Sequence, residues 1–295
     1  MKETPPNTPL AVYDAGMQDR LSITAWRVMV SELIEFKELI WRLLHRNVAG
    51  QVRQSFLGYF WIAMPPLATA LVFSMLQRSN VLAVHLPEGS MPYTLFALIG
   101  ATIWGFFSQV TTMATQSVFG AGMLVSKIYF PREVLVVSGV GNAVVNLMVR
   151  LGVIGLSFLL SGYAPHWEIV FAPLLLIPVF AFALGLGLFF APIHTIMNDT
   201  GRILEFLLSF GMYLAPTVYP TPPLETAVST WGRALFWLHT LNPISHYMYA
   251  INHLIESGTF VWTTGLNIAT ILSFFTLFVG WRFFHVCEPL LAERI

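Results

Sequence analysis

Long apolar runs alternate with short polar breaks through most of the chain, at about 56–76, 93–114, 134–160, 169–191, 203–219 and 265–284. Each is close to the length an α-helix needs to cross a hydrocarbon core roughly 30 Å thick. Lipid offers an open backbone nothing to bond, so the runs are predicted to be six transmembrane helices. A seventh pattern is shorter and two-sided. From Ser31 to Val48, at about 100° per residue, Glu35, Glu38, Arg42, His45 and Arg46 fall in one arc, while Leu33, Phe36, Ile40, Leu43 and Leu44 take the other side. That predicts an amphipathic helix within residues 31–55, with Ser31 as a candidate N-cap, lying in a membrane interface with Trp41 at headgroup level. A helix of a small cytoplasmic domain is the alternative, but no nearby stretch offers cover for its apolar face.

The segment from Leu224 to Trp262 is apolar yet interrupted by His239, Asn242, Pro243, His246, Asn252, His253 and Glu256, which argues against another span. Asn242-Pro243 has the form of an N-cap followed by proline at the first helical position. In the helix that follows, His246, Tyr249, His253 and Glu256 share one face and Ile244, Met248, Ile251 and Ile255 the other. Two short helices that dip into the outer leaflet and return fit this pattern, the polar stripe facing water or a ligand. His246 and His253 are about 10 Å apart along such a helix, too far for one metal ion, so no metal site is predicted.

Composition sharpens the membrane reading. Of 295 residues 56% are hydrophobic and 10% charged, against about 25% charged in soluble domains. The net charge is zero, so nothing points to nucleic acid, and the placement of charge matters more than its sum. Twelve Lys and Arg fall before the first run, in alternate loops and in the tail, whereas the opposite loops hold only Arg78 and Arg233. This bias predicts that both termini are cytoplasmic. Residues 1–30 form a polar tail without a signal-peptide core, residues 56–286 one membrane domain, and 287–295 a cytoplasmic tail. The single Cys287 leaves no basis for an internal disulfide.

The chemistry missing from the chain narrows its function. Its only lysines, Lys2, Lys37 and Lys127, lie outside any phosphate-cradling G-x-x-x-x-G-K sequence. Energy is therefore expected from another chain or from an ion gradient. Gradient-driven carriers keep ionisable relays deep in their spans, and here the candidate is Arg150, a permanent cation unable to shuttle protons. Glu205 and Asp199 lie near a span end. His194, Asn198 and Asp199 in one short loop leave an intramembrane enzyme as a further reading, although no catalytic carboxylate pair or nucleophile motif accompanies them.

Three stretches together resemble the type-2 ABC transporter permeases that export polysaccharides, the O-antigen, capsule and teichoic-acid group. They are Val52-Arg53-Gln54-Ser55-Phe56-Leu57-Gly58-Tyr59-Phe60-Trp61, then Ser126-Lys127-Ile128-Tyr129-Phe130-Pro131-Arg132-Glu133, then Ala215-Pro216-Thr217-Val218-Tyr219-Pro220 with Leu241-Asn242-Pro243-Ile244. The likeness is nearest to O-antigen permeases and covers the chain from about residue 30 onward. Small residues at Gly120, Ala121 and Gly122, and Asn198-Asp199 in place of a more basic stretch, depart from the pattern.

The resemblance implies an all-α membrane protein with an interface helix, six spans, a cytoplasmic coupling helix and re-entrant helices between spans five and six. It implies no cofactor in this chain, two copies of it around a channel, and two copies of a separate ATPase that binds ATP and Mg. The substrate would be a lipid-linked glycan crossing the bacterial inner membrane. Export of another amphiphile, such as a lipid or drug, is the alternative. Tyr59, Trp61, Trp104, Phe107, Tyr213 and Tyr219 are candidate channel-lining rings, since sugar C–H faces pack on rings without a fixed hydrogen-bond pattern. Arg150 should face the dimer interior, near a phosphate of the lipid anchor or near Asn146, unless it snorkels to the outer interface. From Ser117 to Arg132 a coupling helix is expected to dock on the ATPase through Phe119, Met123 and Leu124, with Lys127 and Arg132 at the rim; Tyr129, Phe130 and Pro131 complete the motif. Asn242, His246, Tyr249, His253 and Glu256 are candidates for an exit gate.

Overall fold

The computed structural model describes residues 25–52, 56–82, 84, 86, 89–121, 131–221 and 229–294, and every regular element among them is helical. In chain order these are α1 (Ala25–Glu35), α2 (Lys37–Val52), α3 (Phe60–Arg78), α4 (Tyr93–Gln116), α5 (Glu133–Ser161), α6 (Ala172–Ile196), α7 (Asp199–Gly211), α8 (Thr230–Leu241), α9 (Pro243–Ser257) and α10 (Thr264–Arg294). Single 3-10 turns cover Phe119–Ala121, Trp167–Phe171 and Met212–Leu214. Five of the described helical stretches are long and apolar enough to cross a membrane: α3, α4, α5, Trp167–Ile196 and Thr264–Glu288. In the most apolar part of α4, 78% of residues are buried, against 22% to 33% in the other four. So α4 is the central post, and the others turn Leu159, Leu160, Ile271 and Phe275 outward, a surface that lipid rather than water can cover.

Close packing sets the frame. The backbones of α6 and α10 nearly touch, because a Cβ on Gly280 would lie 2.0 Å from the Gly185 carbonyl oxygen. Phe106 and Phe107 of α4 stack on Phe180 and Phe182 of α6, with ring centroids 6.1 and 5.7 Å apart.

Contacts sort the connections into two ends. At the α9 end, the Met91 N–H bonds to Glu256 at 3.2 Å, the Tyr93 hydroxyl donates to Val218 O at 2.5 Å, and the His166 N–H reaches Ile255 O at 3.4 Å. At the α2 end, Leu43 packs with Val134 and Leu135 at the start of α5, Phe119 lies on His194, and the Arg132 N–H bonds to Glu288 near the end of α10.

Sequence pattern and structure agree over α4 and α5 and differ in three places. The first helix starts at Ala25 rather than Ser31, because Trp26 stacks on Phe278 with centroids 4.2 Å apart. The polar arc of Glu35, Glu38, Arg42, His45 and Arg46 is exposed as expected, while Phe36, Leu39, Ile40 and Leu43 find cover on α5. The predicted span 203–219 is not one continuous helix. It is the 13-residue α7, a 3-10 turn and a non-helical turn. The reason is Pro216: it lacks an N–H and drives the residue before it out of the helical region, and Ala215 is extended at φ −109°, ψ 156°. This segment still runs antiparallel beside α4, with Glu205 at Gln116, Leu208 at Trp104, Thr217 at Gly100 and Val218 at Tyr93. Finally, α10 continues past the predicted boundary at 284 to Arg294.

Candidate functional site

One face of α4 is unlike the rest of the bundle. Trp104, Gly105, Ser108, Gln109, Thr112, Met113 and Gln116 follow one another at alternate gaps of one and three residues, so they form a single stripe. The stripe lines a groove of about 480 Å³ that Arg150 of α5 and Leu208, Ser209 and Met212 after it complete. Trp104 ties α7 to this wall, its indole N–H donating to Leu208 O at 2.9 Å. At the groove end nearest α2, the Gln116 amide donates to Glu205 at 2.8 Å.

Arg150 is held in the groove wall by two local features. In an α-helix the Ile62 carbonyl would accept from the N–H of residue 66, but residue 66 is proline, which has none. The Arg150 Nε–H takes that freed carbonyl at 3.3 Å. Gly105 leaves the space for the guanidinium, since a Cβ there would sit 3.0 Å from Nη1. The residue is only 9% exposed, and Nη1 has no hydrogen-bond partner. Gln109 Oε1, also buried, has none either. Asn146, considered from the sequence as a partner for Arg150, is buried with its own Oδ1 unbonded. Arg150 therefore neither pairs with Asn146 nor reaches the α9 end of α5: it is tied to Ile62 and Gly105.

A second charged cluster closes the α2 end. His285 Nδ1 lies 3.0 Å from Glu133 Oε1 and 4.0 Å from Glu288 Oε2. Glu288 also accepts the Arg132 N–H at 3.2 Å, and its backbone carbonyl accepts from the Arg132 guanidinium. Glu133 and His285 are 2% and 5% exposed. Donor atoms of Glu133, His285 and Glu288 lie within 4.8 Å of one another, and direct bonds between these groups account for that closeness. The cluster fastens the first turn of α5 to the last part of α10, directly after the 117–132 segment.

The sequence-predicted residues are distributed as follows. Trp104 and Arg150 line the groove, whereas Phe107 is buried on the opposite face of α4 against Phe182. Tyr59, Trp61 and Tyr213 are exposed. The Tyr219 hydroxyl donates to Tyr213 O, and its ring stacks on His239 with centroids 5.6 Å apart. Burial pushes the His239 imidazole down to about 4, so it is uncharged at neutral pH.

Around α9, Asn242 Oδ1 accepts the Ile244 N–H at 3.0 Å, the cap read from the sequence. Tyr249, His253 and Glu256 line a pocket of about 190 Å³ with Asn252, Phe96 and Pro216. His246 stands apart from it and bonds Thr240 O at 2.9 Å. Of the coupling residues, Phe119 is exposed beside His194, and Pro131 and Arg132 are buried. Thus Arg132, expected at a docking rim, bonds inward to Glu288. Met123, Leu124, Lys127, Tyr129 and Phe130 lie outside the described residues. Sequence reading missed Ser108, Gln109, Thr112, His285 and Glu288. A row of polar residues at four-residue spacing inside an apolar run was the available signal for the first three.

The model of the ABC-2 type transporter family matches residues 38–255. The chain belongs to this family. Among curated relatives, an O-antigen export system permease protein RfbA of Myxococcus xanthus is 28% identical over 228 residues, 75% of this chain and 81% of the relative. A protein of the same name from Klebsiella pneumoniae is 22% identical over 260 residues, 87% of this chain and 94% of the relative. As a member of this family with five helical stretches long and apolar enough to cross a membrane among its described residues, the chain is a membrane-embedded transport subunit.

Proposed function

We propose that this chain is the channel-forming permease of an ATP-driven exporter that moves a lipid-linked polysaccharide of O-antigen type from cytoplasm to periplasm. The observation that carries the reading is the stripe of Ser108, Gln109, Thr112 and Gln116 facing a groove, in a chain similar to proteins named O-antigen export permeases. Hydroxyl and amide side chains both donate and accept. Such a row exchanges hydrogen bonds with successive sugar hydroxyls without demanding one register, while the Trp104 ring packs on an apolar sugar face.

In this reading two copies of the chain face each other across the channel, with α4 and α7 in its wall. The segment from Asp199 to Val218 serves as the sixth crossing. Both termini lie on the cytoplasmic side of the bacterial inner membrane, in keeping with the loop charges. Helix α2 lies along the cytoplasmic interface, and α8 and α9 enter the outer leaflet and return as an exit gate. Two copies of a separate ATPase bind ATP and Mg and push through residues 117–132, where Phe119 offers an exposed apolar anchor.

Deletion of the gene tests this reading. Surface polysaccharide should disappear while lipid-linked polymer accumulates inside, and unchanged surface glycan would refute it. For the coupling segment, Phe119→Glu with Leu124→Glu should release the ATPase from the purified complex. Normal co-purification would place docking elsewhere.

A further inference from the structure

Helices α5 and α6 follow each other in the chain, yet a cleft of about 200 Å³ lies between them at the α9 end. The connection between them opens it. Gly162 ends α5 in the left-handed region at φ 69°, the Trp167–Phe171 turn follows, and the His166 N–H ties that turn to Ile255 O of α9 at 3.4 Å. The start of α6 is thus drawn toward α9. Buried Ile99 and Ile103 of α4 and Ile251 and Ile255 of α9 form the floor of the gap. We propose that this cleft binds one acyl chain of a bilayer phospholipid from the leaflet at the α9 end. Only the membrane spans enter this inference, so it stands whichever substrate is exported.

Lining, length and mouth all suit hydrocarbon. Among the described residues of the lining Thr102 alone is polar, and its hydroxyl oxygen is buried, so a polar ligand finds no partner there. An apolar cavity of about 150 Å³ already stays dry and takes up benzene. From Leu147 to Phe158, which both line the cleft, α5 rises about 16 Å. That is close to one leaflet of a hydrocarbon core roughly 30 Å thick. The open part of the wall is half-buried Leu151 and Ile169 with exposed Gly155 and Pro173. Beside this mouth Leu156, Leu159 and Leu160 of α5 and Val170 and Leu174 on the α6 side are exposed. The cleft is therefore continuous with the lipid-facing surface, and a chain enters it sideways from the bilayer. Trp167, two residues before Ile169, is exposed and suits the headgroup level.

A seated chain also bears on α9. That helix turns Tyr249, Asn252, His253 and Glu256 to the 190 Å³ pocket and Ile251 and Ile255 to the cleft. An acyl chain packed on the two isoleucines braces α9 from the side away from its polar pocket.

The test uses the full chain in nanodiscs of phosphatidylethanolamine and phosphatidylglycerol, doped with a phosphatidylethanolamine that carries a diazirine midway along one acyl chain. After irradiation, peptide mass spectrometry should find the label on Leu151, on Ile169 and within residues 251–255, as well as on the outward Leu159 and Leu160. Gly155→Phe plugs the mouth, where a Cβ meets nothing within 4 Å, and glycine is the poorer helix former. Its unfolding midpoint in detergent should therefore be no lower than the parent's, while label in the cleft falls severalfold and label at Leu159 and Leu160 holds. A lower midpoint would move the comparison to Gly155→Leu, a smaller plug with the same expected fall. Cleft label equal in parent and plugged variant would overturn the site. So would label confined to Leu159 and Leu160 in the parent, the chain then staying outside, or label at neither place, protein then covering this face.

Discussion

Two buried charged clusters in this molecule are built on opposite plans. At the α2 end, Glu133, His285, Glu288 and Arg132 face one another at 3.0 to 4.0 Å across two helices. In the middle of the bundle, Arg150 reaches a neutral carbonyl and leaves Nη1 unbonded beside an open groove. Taking a charge out of water is tolerable when other groups replace the lost hydration. The first cluster supplies most of that replacement from within the fold, Glu133 Oε2 being the atom it leaves unbonded, so its work is structural: it locks the start of α5 to the last helix. The second supplies the guanidinium with the Ile62 carbonyl and leaves Nη1 buried and unbonded beside Gly105. How far a buried charge is answered by charged partners, rather than its burial, separates the two clusters.

The sharpest way to break this contrast is to remove one partner from each cluster and compare the signs. Glu133→Ala strips the buried partner from His285 and should destabilise the protein by about 3 kcal/mol, read as a lower unfolding midpoint in detergent. Stability equal to the parent would mean that the α2-end cluster fastens nothing.

Arg150→Met should act in the other direction on stability. A cation without a charged partner is replaced by an apolar side chain of similar length, so stability, read as the unfolding midpoint in detergent, should hold or rise by up to about 1–2 kcal/mol. A loss of stability matching that of Glu133→Ala would show Arg150 to be a fastener as well.

Gly105→Ala sharpens the same point with one methyl group. Its Cβ would lie 3.0 Å from Nη1, so the guanidinium must shift by a few tenths of an ångström. The expected result is a stability change within about 1 kcal/mol, read as the unfolding midpoint in detergent. A loss near that of Glu133→Ala would mean that the guanidinium cannot give way at this contact.

The smallest effect belongs to Gln116→Ala. The Gln116–Glu205 bond is exposed, and its loss should cost about 0.5 kcal/mol or less. A cost near that of Glu133→Ala would make the groove wall, not the α2 end, the main brace between helices.

Spans two and three were legible almost to the residue, because a run of apolar residues bounded by Pro92 and by Pro131-Arg132 leaves little freedom in where a helix starts. The Asn242-Pro243 start of α9 was equally legible, since a cap is a local bond that needs only its own neighbours. The predicted fifth span was not. Hydropathy counts residues and is blind to the backbone change that Pro216 forces on Ala215. Aromatic rings drew attention to α4, but one turn of register decides whether a ring lines a groove or a core, and Trp104 and Phe107 fall on different sides of that line.

What the sequence by itself determined is the class of molecule: a helical chain too apolar for water, with charge biased to alternate loops and no means of binding ATP by the usual loop. These follow from composition and short-range spacing, which act through solvent transfer and local hydrogen bonding. Only the tertiary structure decided which charges are answered. Glu133 and His285 are 152 residues apart, and Arg150 and Ile62 are 88 apart, so no periodicity could pair them. A buried charge is settled by the groups that fold brings within about 3–4 Å of it, and the packing of helices alone chooses those groups.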